Sequence, residues 1–213
     1  APGLGPPGGA GGVLFVGLHA AAGTAGFLAH TLTSRLARLE VNGRPLAEIE
    51  LFSASLAPFG IKPVFISGCP AACAQAAAAV PGITTWSIDK TGGPGSLDRG
   101  AWREGLARAA TLASANEATR PYEPAGPFSA RVAMRDGEKP ARRIEKRWGF
   151  RRTGDTLHVE ARDIHELYLK LIRLAYLTPL LDRLSGPALA LSNFRGRYGL
   201  AWVRRRLRAL ELY

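Results

Sequence analysis

Short apolar runs alternate with segments of helical spacing along the first half of the chain. Three runs predict buried strands, because each is brief and is bounded by turn residues. These runs are 13–17, 62–67 and 83–88. Between them, 46–59 carries apolar residues at helical spacing, and the Ala-rich segment 70–80 opens with a proline, which favours a helix start. The alternation predicts an α/β fold, with a mixed or mostly parallel sheet flanked by helices.

The pattern changes at two places along the chain. Asn42-Gly43 is a strong turn signal after the alternating segment 35–41, so it predicts a hairpin or a tight strand exit. Beyond 120, alternating strand-like segments mix with short helical ones, which predicts a smaller α+β part at the C-terminal side. Its predicted elements are a helix at 97–118 leading into it, strands at 128–134 and 156–160, and a helix at 140–146.

A further helix is predicted from Asp163 to about Leu177, since Asp163 and Glu166 have the spacing of a capping box. Pro179 and Gly186-Pro187 predict breaks after it, and the tail predicts a basic amphipathic helix. We therefore expect four parts. They are a flexible lead-in at 1–12, an α/β core with the candidate site at 13–120, an α+β part at 121–180, and a basic helical extension at 181–213.

Composition narrows the class of protein. The hydrophobic fraction of 46% argues against global disorder, and no apolar run reaches the roughly 18 residues needed to cross a membrane. The Gly/Pro-rich start lacks the basic region of a signal peptide. Two cysteines, Cys69 and Cys73, make no disulfide framework and fit a reducing compartment, so a cytoplasmic location is expected.

Charge is distributed unevenly. The net charge is +11, yet residues 1–100 hold only six of the 28 Lys/Arg. Arginines crowd the second half, notably at 204–208, which is compatible with an anionic partner such as a nucleic acid or a membrane surface. A solvated basic face is the favoured interpretation, and a nucleic-acid partner is not expected, because the arginines follow no known nucleic-acid motif.

His19, His30 and Glu48 are the candidates for chemistry. His19 directly follows a buried strand, where open α/β sheets place ligands, and His30 follows a Gly-rich loop. Glu48 lies at a predicted helix start, and histidine with glutamate is the usual ligand set of a hydrolytic zinc. By spacing alone, structural histidines are favoured over a metal site. His158 and His165, in the basic half, are expected to be structural.

Several ordered blocks resemble the DppA-type D-aminopeptidase family of zinc metallopeptidases, over roughly residues 12–90. The blocks are 13–24, 28–31, 41–43 followed by Glu48, and 63–68. The resemblance implies that His19 and Glu48 are zinc ligands, that His30 acts in catalysis, and that two zinc ions are bound. It also implies short peptide substrates with a free amino end, including D-residues, and closed homo-oligomeric rings. Lys90 and Asn42 are further candidates for contacting the substrate.

The family's remaining metal ligands, an Asp-x-Glu pair and a further histidine, come before the block that begins here at Val13. Two protein ligands are fewer than the three of a usual catalytic zinc site. We therefore expect activity to depend on ligands from elsewhere, with a truncated product, one piece of a split enzyme and an inactive remnant as open alternatives. The other hypotheses are a non-catalytic oligomeric or binding protein on the same scaffold, and a basic polyanion-binding module.

Overall fold

A computed structural model describes residues 9–90, 92–93 and 97–210 of the chain. The strands in chain order are β1 (Gly12–Leu18), β2 (Leu36–Val41), β3 (Arg44–Pro45), β4 (Lys62–Gly68), β5 (Thr84–Ser87), β6 (Phe128–Met134), β7 (Arg151–Thr153) and β8 (Thr156–Ala161). The helices are α1 (Glu48–Leu56), α2 (Pro70–Ala79), α3 (Arg99–Ser114), α4 (Glu138–Trp148), α5 (Ile164–Tyr176) and α6 (Pro179–Leu210). Two compact units are present among the described residues, a larger one that ends at Ala175 and a second one that begins at Tyr176.

A parallel sheet of order β1-β4-β5 forms the first layer of the larger unit. Successive side chains of β4 face opposite sides, so Ile66 packs in a cluster with Ile49 of α1 and Ala76 of α2. Phe65 points to the other side, where it packs with Ala113 of α3. Helices therefore cover both faces of this sheet, as the alternating pattern predicted.

A second, antiparallel sheet of order β3-β2-β6-β8-β7 completes the unit. Asn42 and Gly43 both have positive φ, +49° and +79°, as a two-residue hairpin turn of type I′ requires. The predicted hairpin is thus confirmed as β2–β3. Since β2 also pairs with β6, the predicted parts 13–120 and 121–180 contribute strands to one sheet.

The α/β fold with helices on the sheet faces is confirmed, and the structure adds that the strands form two sheets. The cap predicted for α5 is also confirmed, because Glu166 N donates to Asp163 Oδ1 at 2.8 Å. Strand β7 was not predicted from the sequence, since it is three residues long and includes two arginines.

The predicted break at Gly186-Pro187 is wrong, because α6 runs through Pro187 as one helix of 32 residues. A proline inside a helix costs the hydrogen bond to the carbonyl four residues earlier. Here that carbonyl belongs to Arg183, an exposed residue, so water can replace the lost donor. Within the described part of the chain, no helix combines the length and the apolar character needed to cross a membrane.

Candidate active site

His19 and His30 lie side by side beyond the carboxyl end of β1. Their ring centroids are 4.8 Å apart, and the ring planes make an angle of 42°. The loop closes on itself to bring them together, because His30 N donates to the carbonyl of Ala20 at 2.9 Å. Both side chains are half-buried. The structure therefore brings together two residues that lie 11 positions apart in the sequence. Each was predicted from the sequence to be a site residue, without evidence of contact between them.

Two consecutive carbonyls orient the two imidazoles. His19 Nδ1 lies 2.9 Å from Phe27 O, and His30 Nδ1 lies 2.8 Å from Leu28 O. A carbonyl oxygen only accepts, so each Nδ1 carries the proton and donates. In a neutral ring held in this way, Nε2 keeps the lone pair, and this is the form of histidine that binds a metal or takes up a proton.

The backbone that provides these carbonyls is held in unusual conformations. Leu28 has a φ of +49°, in the left-handed region that non-glycine residues rarely occupy. Gly26 has a φ of +155°, and a Cβ there would lie 2.7 Å from Ala20 Cβ. Such strain persists only where the surroundings enforce it, and it concentrates at functional sites.

Glu48 is buried at the first position of α1 and faces the loop that carries His30. Its Oε1 accepts a hydrogen bond of 3.0 Å from Leu32 N, two residues beyond His30. Thr31, between them, donates from Oγ1 to Leu46 O and accepts from Ala22 N. These bonds tie the segments of His19, His30 and Glu48 into one hydrogen-bonded assembly.

Glu50, two residues beyond Glu48, belongs to a different region. Its carboxylate accepts from Ala47 N at 3.1 Å and from the Tyr122 hydroxyl at 3.0 Å, and Arg44 lies 3.6 Å away. Burial of the phenol, followed by the negative charge of Glu50, raises the pKa of Tyr122 to about 12. These groups line a cavity of about 340 Å³ whose lining includes neither His19 nor His30.

Asn42 lines the same cavity, and its carboxamide is held by backbone groups. Nδ2 donates to Pro127 O at 3.1 Å, and Oδ1 accepts from Ser129 N at 2.8 Å. The structure thus gives Asn42 a role in joining the β2–β3 turn to β6, and a substrate contact by this residue stays a prediction.

Lys90 is connected to the histidine pair through an aromatic ring. Its Nζ lies 5.0 Å from the centroid of Phe27, and the Phe27 ring is stacked on His19 with centroids 6.4 Å apart. An ammonium above an aromatic face is attracted by the ring. The Phe27 ring therefore lies between the positive charge of Lys90 and the imidazole of His19.

The donor chemistry of these residues suits zinc, whereas their number does not. Imidazole nitrogen and carboxylate oxygen are common zinc donors, and no described residue is hydrogen-bonded to Nε2 of either imidazole. Across residues 9–90, 92–93 and 97–210, however, no group of three or more His, Cys, Asp or Glu side chains is arranged to hold a metal ion. The described residues alone therefore do not provide a complete metal site.

The groups that hold this loop were not predicted from the sequence, because most of them are backbone atoms. The carbonyls of Phe27 and Leu28 have no signature in the sequence. Gln75 of α2 accepts from Ala21 N at 2.9 Å and donates to Thr24 Oγ1 at 3.0 Å, which anchors the start of the loop. Gln75 is the one polar side chain in the Ala-rich helix α2, and this feature of the sequence could have indicated that it holds the loop.

Comparison with known proteins identifies the family. A family model described as D-aminopeptidase, peptidase family M55, matches residues 7–172. The chain belongs to the D-aminopeptidase family. This match includes the histidine pair, Glu48 and both sheets, and it ends before α6 begins.

Among solved structures, the chain is similar to the Zn-dependent D-aminopeptidase DppA from Bacillus subtilis, described as a self-compartmentalizing protease. The TM-score is 0.69 at 20% identity, and the match covers 78% of this chain, so the likeness shows a shared fold. The chain spans 63% of the length of that structure. No curated protein matches the chain.

Proposed function

We propose that the chain is a zinc-dependent aminopeptidase-like protein for short peptides with a free amino end, including D-residues. The observation that carries the proposal is the adjacent pair of imidazoles, each with Nδ1 held by a carbonyl and Nε2 free. Membership of the D-aminopeptidase family and the fold of a Zn-dependent relative support it. In this proposal His19 and Glu48 are zinc ligands, and His30 moves protons.

The chain's own residues have distinct tasks. His30 Nε2 accepts a proton and returns it, and the Leu28 carbonyl keeps its ring in the required tautomer. Lys90, beside Phe27, attracts the carboxylate end of a short peptide. Zinc, when bound, polarises the peptide carbonyl and acidifies a water molecule.

Further ligands are required, because a catalytic zinc normally has three from the protein. We propose that they come from residues outside the described set or from another chain. The relative's description as self-compartmentalizing supports a homo-oligomer, which brings several chains together. A cytoplasmic location completes the proposal and is supported by the two free, buried cysteines.

Metal content and hydrolysis test the proposal directly. The purified chain is equilibrated with zinc, passed through gel filtration and analysed for metal, and the hydrolysis of D-Ala-p-nitroanilide is followed by absorbance. We expect one or two zinc ions per chain. His19→Ala is expected to lose zinc and hydrolysis together, whereas His30→Ala loses hydrolysis with a smaller loss of zinc.

Glu48→Gln tests whether Glu48 acts as a metal ligand or only holds the loop in place. The amide oxygen of glutamine can still accept from Leu32 N, so we expect the fold to be kept and zinc affinity to fall. His158→Ala is the matched histidine control, because His158 contacts Thr153 on the antiparallel sheet. His158→Ala is expected to bind as much zinc as the parent chain, and a parent chain that keeps no zinc after gel filtration would leave the non-catalytic binding protein as the function on this scaffold.

A further inference from the structure

Helix α6 carries a continuous apolar stripe that is exposed along its length. At 100° per residue its members fall within a sector of about 80° on the helix. Each of them is at least half exposed. The stripe consists of Leu180, Leu184, Leu191, Phe194, Tyr198 and Trp202. Exposed side chains of this size normally mark a surface that binds something.

Arginines flank this stripe on both sides. Arg183 and Arg197 follow one border, Arg195 and Arg206 follow the other, and Arg205 lies within the sector just beyond Trp202. The helix holds seven arginines and one acidic residue, Asp182. Its net charge is therefore strongly positive, and its partner must be anionic.

The aromatic end of the stripe has the composition found at the boundary between lipid and water. The rings of Phe194 and Tyr198 contact each other with centroids 6.0 Å apart. The Arg206 guanidinium lies 4.6 Å from the centroid of Trp202. Tyrosine and tryptophan favour the headgroup region because each joins an apolar ring to a polar atom.

We propose that α6 binds the surface of a membrane rich in anionic lipids, lying parallel to the bilayer. A helix with Trp, Phe and Leu on one face and arginines along the borders of that face is suited to insert into the headgroup layer. The apolar stripe enters the acyl boundary, and the arginines at its borders reach the lipid phosphates. This inference is independent of the proposed peptidase function, because α6 lies outside the residues matched by the family.

Two other partners fit these observations less well. A second copy of α6 packed on the stripe would bring arginines against arginines, with Asp182 as the one acidic residue in the helix to offset them. A nucleic acid would neutralise the arginines but would leave the leucines and the apolar ring faces without a partner. An anionic lipid surface neutralises the arginines and buries the apolar stripe at the same time.

Vesicle sedimentation with the full chain tests the proposal. The chain is mixed with vesicles of phosphatidylcholine alone or with about one third phosphatidylglycerol, and bound protein is measured after centrifugation. We expect binding to the anionic vesicles that is at least about tenfold tighter, because several arginines near the surface are attracted to the lipid phosphates. Higher salt is expected to weaken it, because exposed charges are screened.

Paired variants identify the stripe as the contact. Tyr198→Ser with Trp202→Ser is expected to lower vesicle affinity about tenfold or more, since both rings leave the membrane. Phe59→Ser is the control, because Phe59 is as exposed as Trp202 but lies outside α6. Arg183→Gln with Arg197→Gln is expected to weaken the preference for anionic lipid, because two of the seven arginines are neutralised, whereas Arg108→Gln on α3 retains it.

Circular dichroism of each variant shows whether the fold is kept. Equal binding to both kinds of vesicle overturns the proposal, and so does binding that the stripe variants leave unchanged. A dimer that dissociates in the stripe variants, without vesicle binding, would assign the stripe to a second copy. Binding to a DNA duplex that exceeds vesicle binding at equal salt would assign the arginines to nucleic acid, and both outcomes contradict the proposal.

Discussion

The Thr31 hydroxyl donates a hydrogen bond of 2.8 Å to the carbonyl of Leu46, joining the histidine loop to the segment that leads into α1. The same oxygen accepts from Ala22 N at 3.1 Å, and Thr31 is fully buried. One side chain therefore satisfies two buried backbone groups on either side of the site. Its loss would leave both without a partner.

Thr31→Val keeps the shape of this side chain and removes its hydroxyl. We expect the free energy of unfolding to fall by about 2–4 kcal/mol, because a buried donor and a buried acceptor lose their bonds. Urea unfolding followed by circular dichroism measures the change. Thr31→Ser retains the hydroxyl and serves as the control. Equal loss in both variants would show that the methyl group, and not the hydroxyl, is what the site requires.

Gly26→Ala probes the backbone that aims the two histidines. The new Cβ would lie 2.7 Å from Ala20 Cβ, so the neighbouring peptide must move. We expect a loss of about 1–3 kcal/mol in unfolding free energy, together with changed chemical shifts for both histidine rings. Gly43→Ala is the matched control: its φ is also positive, but no atom lies within 4 Å of its Cβ. Identical losses in the two variants would attribute the effect to backbone strain alone.

Gly105 lets α3 approach β5 closely. An added Cβ would overlap the ring of Trp86, which the sheet and helix hold in place. Alanine normally stabilises a helix by about 1 kcal/mol over glycine. We nonetheless expect Gly105→Ala to lower the melting temperature, because overlap with a large ring costs more than this gain. A raised melting temperature would mean that the ring moves aside freely.

Glu166 is expected to make the free energy of unfolding depend on pH in the acidic range. Its carboxylate accepts from Arg162 N, Lys170 and the Arg162 side chain, and these bonds lower its pKa to about 2. A lowered pKa in the folded state stabilises the fold above the ordinary pKa of about 4.5, and that contribution disappears as the pH falls through about 2. Glu166→Gln should therefore unfold at lower urea than the parent chain at pH 7, and the difference should close between pH 4.5 and 2.

Glu104→Gln, on the exposed side of α3, controls for the removal of one negative charge. Urea midpoints at a series of pH values for the three chains provide the comparison. A difference between the parent and Glu166→Gln that persists at pH 2 would show that the bonds of the neutral side chain, and not its charge, stabilise the start of α5.

Local signals in the sequence were sufficient for most elements of the fold. The Asn42-Gly43 turn and the Asp163 cap are each encoded by neighbouring residues, so they could be predicted. The pairing of β2 with β6 could not, because it joins residues about 90 positions apart and depends on the whole sheet. Pro187 misled the prediction, since the penalty of a proline is small where water can reach the freed carbonyl.

The site was predictable as a set of residue types and not as a geometry. His19 and His30 stood out because histidines are few and because each follows a strand or a Gly-rich loop. Their orientation depends on the carbonyls of Phe27 and Leu28, which every residue type carries. The glutamates Glu48 and Glu50 look alike in the sequence, and the helix places them in separate environments.

Strand β1 is the edge of the parallel sheet, and within the described residues it pairs with β4 alone. Leu14 and Val16 are exposed along it, so the edge can template the addition of another strand. A strand added there in parallel would end beside His19, which directly follows β1. In the zinc site proposed above, occupation of this edge and completion of the ligand set would then be a single event, and the concentration of the incoming strand would control both.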